Sequence, residues 1–121
     1  MNNLKVLIVA VMVSLSGSVA AEVTRSPDTL ITRIDSRQDG IHSIYVSNGD
    51  YNNDESCDFM NRAIIDVSSV GAKDMLAAAL TAGLSSVQVK IVTEGCTAIS
   101  TTSAYTAPKI LAVMLLNMGN I

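Results

Sequence analysis

The sequence has little from which a catalytic site could be built. It has no tryptophan, one histidine, two cysteines and only four aromatic rings among 121 residues. It contains no Gly-x-Ser-x-Gly elbow, no Ser-x-x-Lys pair and no glycine-rich phosphate loop. The single histidine, His42, falls inside a predicted strand with no nucleophile predicted beside it, so we expect it to be structural. We therefore predict a protein that is not an enzyme and that needs no cofactor.

Residues 1–21 have the layout of a secretory signal peptide. Lys5 supplies positive charge, residues 6–13 are an unbroken apolar run, and Val19-Ala20-Ala21 is a small-residue cleavage site. The run is too short to cross a bilayer, which needs roughly 20 apolar residues. We expect cleavage before Glu22, which leaves residues 22–121 as one domain, secreted or periplasmic, with no membrane span.

Positive charge is scarce in this chain. Loss of Lys5 with the signal peptide leaves seven basic residues against eleven acidic ones, a net charge of −4. The remaining basic residues form no run. Because affinity for phosphate backbones needs clustered lysine and arginine, the composition argues against nucleic acid as a partner.

The cysteine count predicts a disulfide and argues against a metal site. In an exported chain, an isolated pair such as Cys57 and Cys96 is typical of one disulfide. Two cysteines and one histidine cannot supply the four ligands of a structural zinc site. Residues 50–58 resemble the first half of a calcium loop, but Glu55 and Asn61 stand where such a loop needs glycine and a closing glutamate. We expect no tight metal binding there.

Hydrophobic periodicity predicts five strands and one helix after a polar stretch, Glu22 to Asp28. Ser68-Ser69-Val70-Gly71 ends the third strand and offers a helix N-cap, and Leu76, Leu80 and Leu84 form one apolar helical stripe. The predicted loop from Glu94 to Pro108 is rich in small hydroxylated residues and carries Cys96. The predicted elements are strands Thr29–Asp35, Ile41–Val46 and Arg62–Ser68, helix Ala72–Leu84, and strands Ser86–Val92 and Lys109–Asn117.

The order β-β-β-α-β-β predicts a mostly β fold with one helix. It matches a five-stranded OB-fold-like Greek-key barrel. An α+β arrangement, with an open antiparallel sheet and the helix packed on one face, is the alternative. Tyr51 and Tyr105 fall in predicted loops, where a ligand can reach an aromatic ring.

Three segments resemble the B subunits of AB5 toxins, of the subtilase-cytotoxin and typhoid-toxin type. They are Ser26 ahead of a β-rich first strand (Leu30 to Ile34), the alternating strand Val87 to Ile91, and the apolar last strand ending Met114-Leu115-Leu116-Asn117. The resemblance covers residues 24–118 and implies an exported, disulfide-bonded OB-fold chain. The absence of tryptophan departs from that family.

The resemblance implies a non-enzymatic homo-oligomeric ring, usually a pentamer, that recognises host glycans and partners a catalytic A subunit. It places Ser26 near a serine that contacts the receptor sugar, and Tyr105 in a loop that contacts receptors. With Tyr51, these are the predicted ligand-binding residues. A free-standing periplasmic envelope or stress protein that binds another protein is the alternative function.

Overall fold

The computed structural model describes residues 23–52 and 55–117. The predicted signal peptide, residues 1–21, lies outside the described residues. One helix and six strands form the described part of the chain. In chain order they are β1 (Val23–Arg25), β2 (Ile31–Ser36), β3 (Ile41–Val46), β4 (Ala63–Asp66), α1 (Ala72–Ser85), β5 (Val89–Ala98) and β6 (Thr106–Leu115).

The strands form one mixed sheet in the order β1-β5-β6-β4-β3-β2. Neighbours are antiparallel except β4 and β6, which run parallel. Among the described residues the sheet does not close into a barrel, although Thr29 and Val89 exchange backbone hydrogen bonds of 2.9 and 2.8 Å in an isolated bridge. The prediction of a mostly β fold with one helix is confirmed. The sheet has six strands instead of the predicted five. Its parallel pair, β4 and β6, differs from the open antiparallel sheet that was the alternative prediction.

The additional strand is β1, which lies in the stretch predicted to be irregular. Its residues pair with Val92, Thr93 and Glu94 of β5. Three residues have almost no periodicity of their own, so only the partner strand defines them. The polar stretch before Pro27 therefore contains a strand, which corrects the prediction.

The hairpin of β5 and β6 is longer than predicted. The predicted loop from Glu94 to Pro108 shrinks to residues 99–105, because β5 runs to Ala98 and β6 begins at Thr106. Ladder pairs from Cys96↔Pro108 to Ala98↔Thr106 hold these small residues in extended conformation. Cross-strand pairing outweighs the weak strand propensity of Ala98, Ala107 and Pro108.

Helix α1 begins at the predicted residue, and its cap lies within the predicted segment Ser68–Gly71. Gly71 occupies the N-cap position with φ 76°, and no side chain caps the helix there. The N–H and hydroxyl of Ser68 instead donate to Asp66 Oδ1 at 2.9 and 2.7 Å. The cap is therefore the last residue of the predicted segment Ser68–Gly71, and Asp66 engages Ser68 in the turn that follows β4.

The helix faces the sheet with its alanines. Ala72, Ala79 and Ala82 are buried, whereas Leu80 is 43% and Leu84 is 88% exposed. Small side chains let the helix backbone approach the strands closely. Of the predicted apolar stripe, only Leu76 packs against the main core, whereas Leu80 and Leu84 face outward. This arrangement leaves an apolar groove between α1 and β2, lined by Ile31, Ile34, Leu80, Gly83 and Leu84 among others.

Two apolar clusters lie on opposite faces of the sheet. The main core lies under α1 and includes Ile44, Ile65, Val89 and Ile91. The second cluster consists of Ile41, Ile64 and Ala107, with Phe59 and Ile99 packed against it. Because β3 alternates between the two clusters, nearly all of its side chains are buried. The second cluster fixes the segment that carries Phe59.

The predicted disulfide between Cys57 and Cys96 is present, with Cα atoms 5.7 Å apart. Cys96 lies within β5 and not in a loop, because that strand is longer than predicted. The cross-link therefore ties the segment before β4 directly to the sheet.

A tight contact at the β2–β3 turn gives a testable prediction. Gly40 has φ 82°, and a Cβ built there would lie 2.5 Å from Cγ2 of Val67. Gly49, with φ 90°, would meet nothing within 4 Å. We expect Gly40→Ala to lower the free energy of unfolding by about 2 kcal/mol, since it adds overpacking to backbone strain. Urea denaturation measures the loss.

Gly49→Ala is the matched control, because it carries the backbone strain alone. We expect it to cost about 1 kcal/mol. Adding Val67→Ala to Gly40→Ala should recover part of the loss, as the clashing methyl is removed. If Gly40→Ala and Gly49→Ala lower the free energy of unfolding equally, the contact with Val67 does not affect stability.

Candidate functional site

Ser26 follows β1, and its side chain is engaged with the backbone. Its hydroxyl donates to the carbonyl of Pro27 at 2.9 Å and accepts from the N–H of Ile91 at 2.8 Å. Its own N–H donates to the Ile91 carbonyl at 2.8 Å. Ser26 therefore fastens the chain after β1 to β5.

Tyr51 is buried, with only 3% of its surface exposed. Its hydroxyl donates to the carbonyl of Ile44 at 3.0 Å, and burial raises the pKa of the phenol. The ring belongs to the main core. Because no ring face is left for a ligand, we do not place Tyr51 in the candidate site.

Tyr105 is 61% exposed at the end of the loop between β5 and β6. Its N–H donates to Ser103 Oγ at 3.1 Å, and its carbonyl accepts from Ile99 N–H at 3.1 Å. Its ring meets that of Phe59 edge to face, with centroids 5.7 Å apart. The loop thus presents an exposed aromatic ring on a fixed support.

The three predicted ligand residues do not form one site. Ser26 is bonded to Ile91, whereas Ala98 pairs with Thr106, the neighbour of Tyr105. Ile91 and Ala98 lie seven positions apart along β5, which corresponds to about 23 Å. A small ligand cannot contact both Ser26 and Tyr105.

A row of alternating guanidinium groups and aromatic rings lies beside Tyr105. Cζ of Arg33 lies 4.7 Å from the ring centroid of Tyr45, its partner across β2 and β3. Cζ of Arg62 lies 5.4 Å from the centroid of Tyr45 and 4.9 Å from that of Phe59. These are cation–π distances. We call Arg33, Tyr45, Arg62, Phe59 and Tyr105 the cation–aromatic row.

The two arginines of the row differ in their partners. Arg33 donates from Nε and Nη2 to the two carboxylate oxygens of Asp35, each at 2.8 Å. This pairing raises the pKa of Arg33 and lowers the pKa of Asp35. A hydrogen bond with Tyr45 and the charge of Arg62 lower the pKa of Asp35 further. Arg62 donates from Nε to Asn61 Oδ1 at 3.2 Å. No carboxylate among residues 23–52 and 55–117 forms an ion pair with Arg62.

The segment that carries Phe59 is held by hydrogen bonds to Thr106 and by the disulfide at Cys57. The N–H of Phe59 donates to the carbonyl of Thr106 at 2.8 Å. Asp58 Oδ2 accepts from the N–H and the hydroxyl of Thr106 at 2.9 and 3.1 Å. The disulfide at Cys57 adds a covalent tie to β5. The segment is thereby fixed to the sheet, and so is the ring.

A polar cleft lies near the same loop, between Arg37, Gln38, Asp39, Thr101 and Thr102. Asp39 accepts from the N–H of Ile41 at 3.1 Å, from that of Thr101 at 3.2 Å and from Nε of Arg37 at 3.4 Å. Burial raises the pKa of Asp39, but these donors outweigh it and the pKa is lowered. The carboxylate therefore joins the β2–β3 turn to the β5–β6 loop.

Sequence reasoning identified Tyr105 but missed Arg33, Tyr45, Phe59 and Arg62. The pair Arg33 and Tyr45 could have been found from the predicted hairpin, because a turn at Gln38-Asp39-Gly40 sets the strands roughly in register. Phe59 and Arg62 lie in an irregular segment whose position depends on the disulfide, so no local signal indicates them.

Within the described ranges, no helix has the length and apolar character of a membrane span, and no three His, Cys, Asp or Glu side chains are placed to hold a metal ion. The calcium-like segment, 50–58, includes residues outside those ranges. The cation–aromatic row, which ends at the exposed ring of Tyr105, is taken as the candidate site. Comparison with protein-family models, with curated proteins and with solved structures finds no match for this chain.

Proposed function

We propose that the mature chain is an exported, non-enzymatic binding module that recognises a glycan through the cation–aromatic row and assembles as a homo-oligomeric ring, most simply a pentamer. The observation that carries the proposal is the ring of Tyr105, 61% exposed and held by Phe59 beside the guanidinium of Arg62. An exposed, rigid aromatic ring offers a face on which a sugar can stack at little entropic cost.

The arrangement of strands supports an OB-fold-like barrel. Strand β1 pairs only with β5 and adds one strand to that side of the sheet. Without β1, the elements follow the order β-β-β-α-β-β. The Thr29–Val89 bridge draws the start of β2 towards β5, as a partly open barrel requires. OB-folds bind oligosaccharides on the face of their second and third strands and with the loops that follow the first and fourth. Tyr45 and Tyr105 occupy the corresponding places in β3 and in the β5–β6 loop.

Two unpaired strand edges support assembly. Among the described residues, β2 pairs only with β3, and β6 beyond Leu111 has no partner on the side of β4. Free edges must be paired, covered or charged. A second copy can bring its β6 edge to β2, where the apolar groove beside Leu84 receives apolar side chains. Such a head-to-tail contact closes into a ring when the rotation permits. The exposed apolar side chains near these edges are Leu80, Leu84, Leu111 and Met114.

Light scattering of the purified mature protein at micromolar concentration tests the ring. We expect a mass near five times that of the protomer. Leu84→Glu, at a position 88% exposed in the protomer, should leave the fold intact and dissociate the assembly. A stable wild-type monomer would overturn the ring and favour the alternative, a free-standing periplasmic module that binds another protein.

Tyr105→Ala tests the glycan face separately. We expect it to weaken binding to a glycan selected on an array by about tenfold, since it removes the stacking ring. Because Tyr105 is largely exposed, the unfolding midpoint should hardly change. Tyr105→Phe is the control, for it keeps the ring and should keep most of the affinity, as measured by calorimetry. Unchanged binding by Tyr105→Ala would contradict the proposed site.

A further inference from the structure

The turn after β3 contains the only Asn-Gly pair of the sequence, Asn48-Gly49. Both residues are exposed, and a Cβ built on Gly49 would meet no atom within 4 Å. Because glycine has no side chain, its backbone nitrogen is the least shielded one that can follow an asparagine. Such a nitrogen can attack the side-chain amide of the preceding residue, which makes the pair a candidate for deamidation.

The reaction is balanced with water as the only co-reactant. The backbone nitrogen of Gly49 forms a bond to Cγ of Asn48 and loses its proton to water. The bond between Cγ and Nδ2 breaks, and Nδ2 leaves as ammonia. Water then opens the five-membered succinimide ring at either carbonyl, which gives aspartate or isoaspartate at position 48. No electrons are transferred to or from the chain.

Hydrogen bonds engage both reacting groups in the folded turn. The N–H of Gly49 donates to the carbonyl of Val46 at 3.1 Å. Oδ1 of Asn48 accepts from the hydroxyl of Thr29 at 2.8 Å. Attack on Cγ requires a close approach in a defined orientation, with the Gly49 nitrogen able to lose its proton. These two hydrogen bonds therefore restrain the reaction in the folded chain.

Thr29 is a firm anchor for the amide of Asn48. Its side chain is buried, and its backbone exchanges two hydrogen bonds with Val89. Its hydroxyl also contacts Oγ of Ser47 at 3.1 Å, and that oxygen accepts from the N–H of Leu30 at 3.2 Å. A paired backbone and a shared hydroxyl leave the Thr29 side chain little freedom. The Asn48 amide is thus held in the orientation that Thr29 sets.

We propose that Asn48 is a modification site, converted by deamidation to aspartate or isoaspartate, and that the hydroxyl of Thr29 slows the reaction by restraining its amide. Either product adds one negative charge, and isoaspartate also lengthens the backbone by one atom after β3. The longer backbone changes the turn beside the Thr29–Val89 bridge, so the isoaspartate form should unfold at a lower urea concentration. The modification requires neither a glycan nor a ring.

Peptide mapping by mass spectrometry of the mature protein, incubated at neutral pH for set times, measures the conversion of Asn48. Electron-transfer fragmentation distinguishes isoaspartate from aspartate. Asn61 is the internal control, because it is also exposed but is followed by Arg62, whose side chain shields the backbone nitrogen. In the urea-unfolded chain we expect Asn48 to react about tenfold faster than Asn61, since glycine gives no such shielding. In the folded chain Asn48 should react more slowly than it does in urea.

Thr29→Val removes the hydroxyl and keeps the shape of the side chain. We expect it to raise the rate at Asn48 in the folded protein about fivefold, since one hydrogen bond no longer opposes opening of the turn. The rate in urea should not change. Gly40→Ala is the control for a general loss of stability, because it acts at the β2–β3 turn and should leave the rate in the folded protein near that of the wild type.

Equal conversion of Asn48 and Asn61 in the unfolded chain would overturn the modification site. A rate for folded Thr29→Val that equals that of the wild type or of Gly40→Ala would overturn the restraint by Thr29.

Discussion

Replacing both Cys57 and Cys96 with alanine is expected to lower the free energy of unfolding by about 4 kcal/mol. The two cysteines are 39 residues apart in sequence, and a cross-link that closes a loop of this length removes much conformational freedom from the unfolded chain. Urea denaturation of the oxidised wild type and of the double variant measures the difference.

The reduced wild type is the control for this comparison, because it keeps both sulfur atoms and loses only the covalent bond. It should fall close to the double variant. If the variant and the oxidised wild type share one unfolding midpoint and one slope, the cross-link contributes nothing to stability and the chain-entropy explanation fails here.

A second large effect is expected at Ile64, which is fully buried in the cluster on the outer face of β4. Ile64→Ala should cost about 3 kcal/mol, through lost burial and the cavity left behind. Phe59 packs against this cluster, so the same substitution should also loosen the cation–aromatic row and weaken glycan binding. Chemical denaturation and binding assays on the folded protein measure the two effects.

Ile44→Ala is the matched control, because Ile44 is equally buried but belongs to the main core on the opposite face. It should cost a similar amount of stability and leave binding by the folded fraction largely unchanged. Equal losses of binding in the two variants would show that support of Phe59 is not specific to the outer cluster.

Local pattern was enough to predict part of this fold. The bounds of β3 agree with the predicted strand Ile41–Val46, and α1 begins at the predicted Ala72. Strand β3 alternates over six residues, and the apolar residues of α1 recur at helical spacing, although Leu80 and Leu84 of the predicted stripe lie on the exposed face. The disulfide also followed from the cysteine count, since only one intramolecular pairing exists.

The features that sequence did not predict depend on distant partners. Strand β1 and the second half of β5 are defined by pairing with other strands, because β1 is too short to show a periodicity and the second half of β5 contains Gly95 and alternates poorly. The outward position of Leu84 could not be read from the stripe, because both alanine and leucine positions of α1 are apolar. The other residues of the candidate site also depend on distant partners. Only Tyr105 could be predicted, because its position in a loop is a local property.

The cross-link between Cys57 and Cys96 also has a consequence for when the molecule becomes able to bind. Thiols stay reduced in a cytosolic environment and form lasting disulfides only where the surroundings are oxidising. Arg33 and Tyr45 lie on paired strands, whereas the segment carrying Phe59 and Arg62 is tied to β5 by that bond. Under the proposed function, recognition would be coupled to the compartment: a chain that has not yet been oxidised would have the framework of the cation–aromatic row but not its full support.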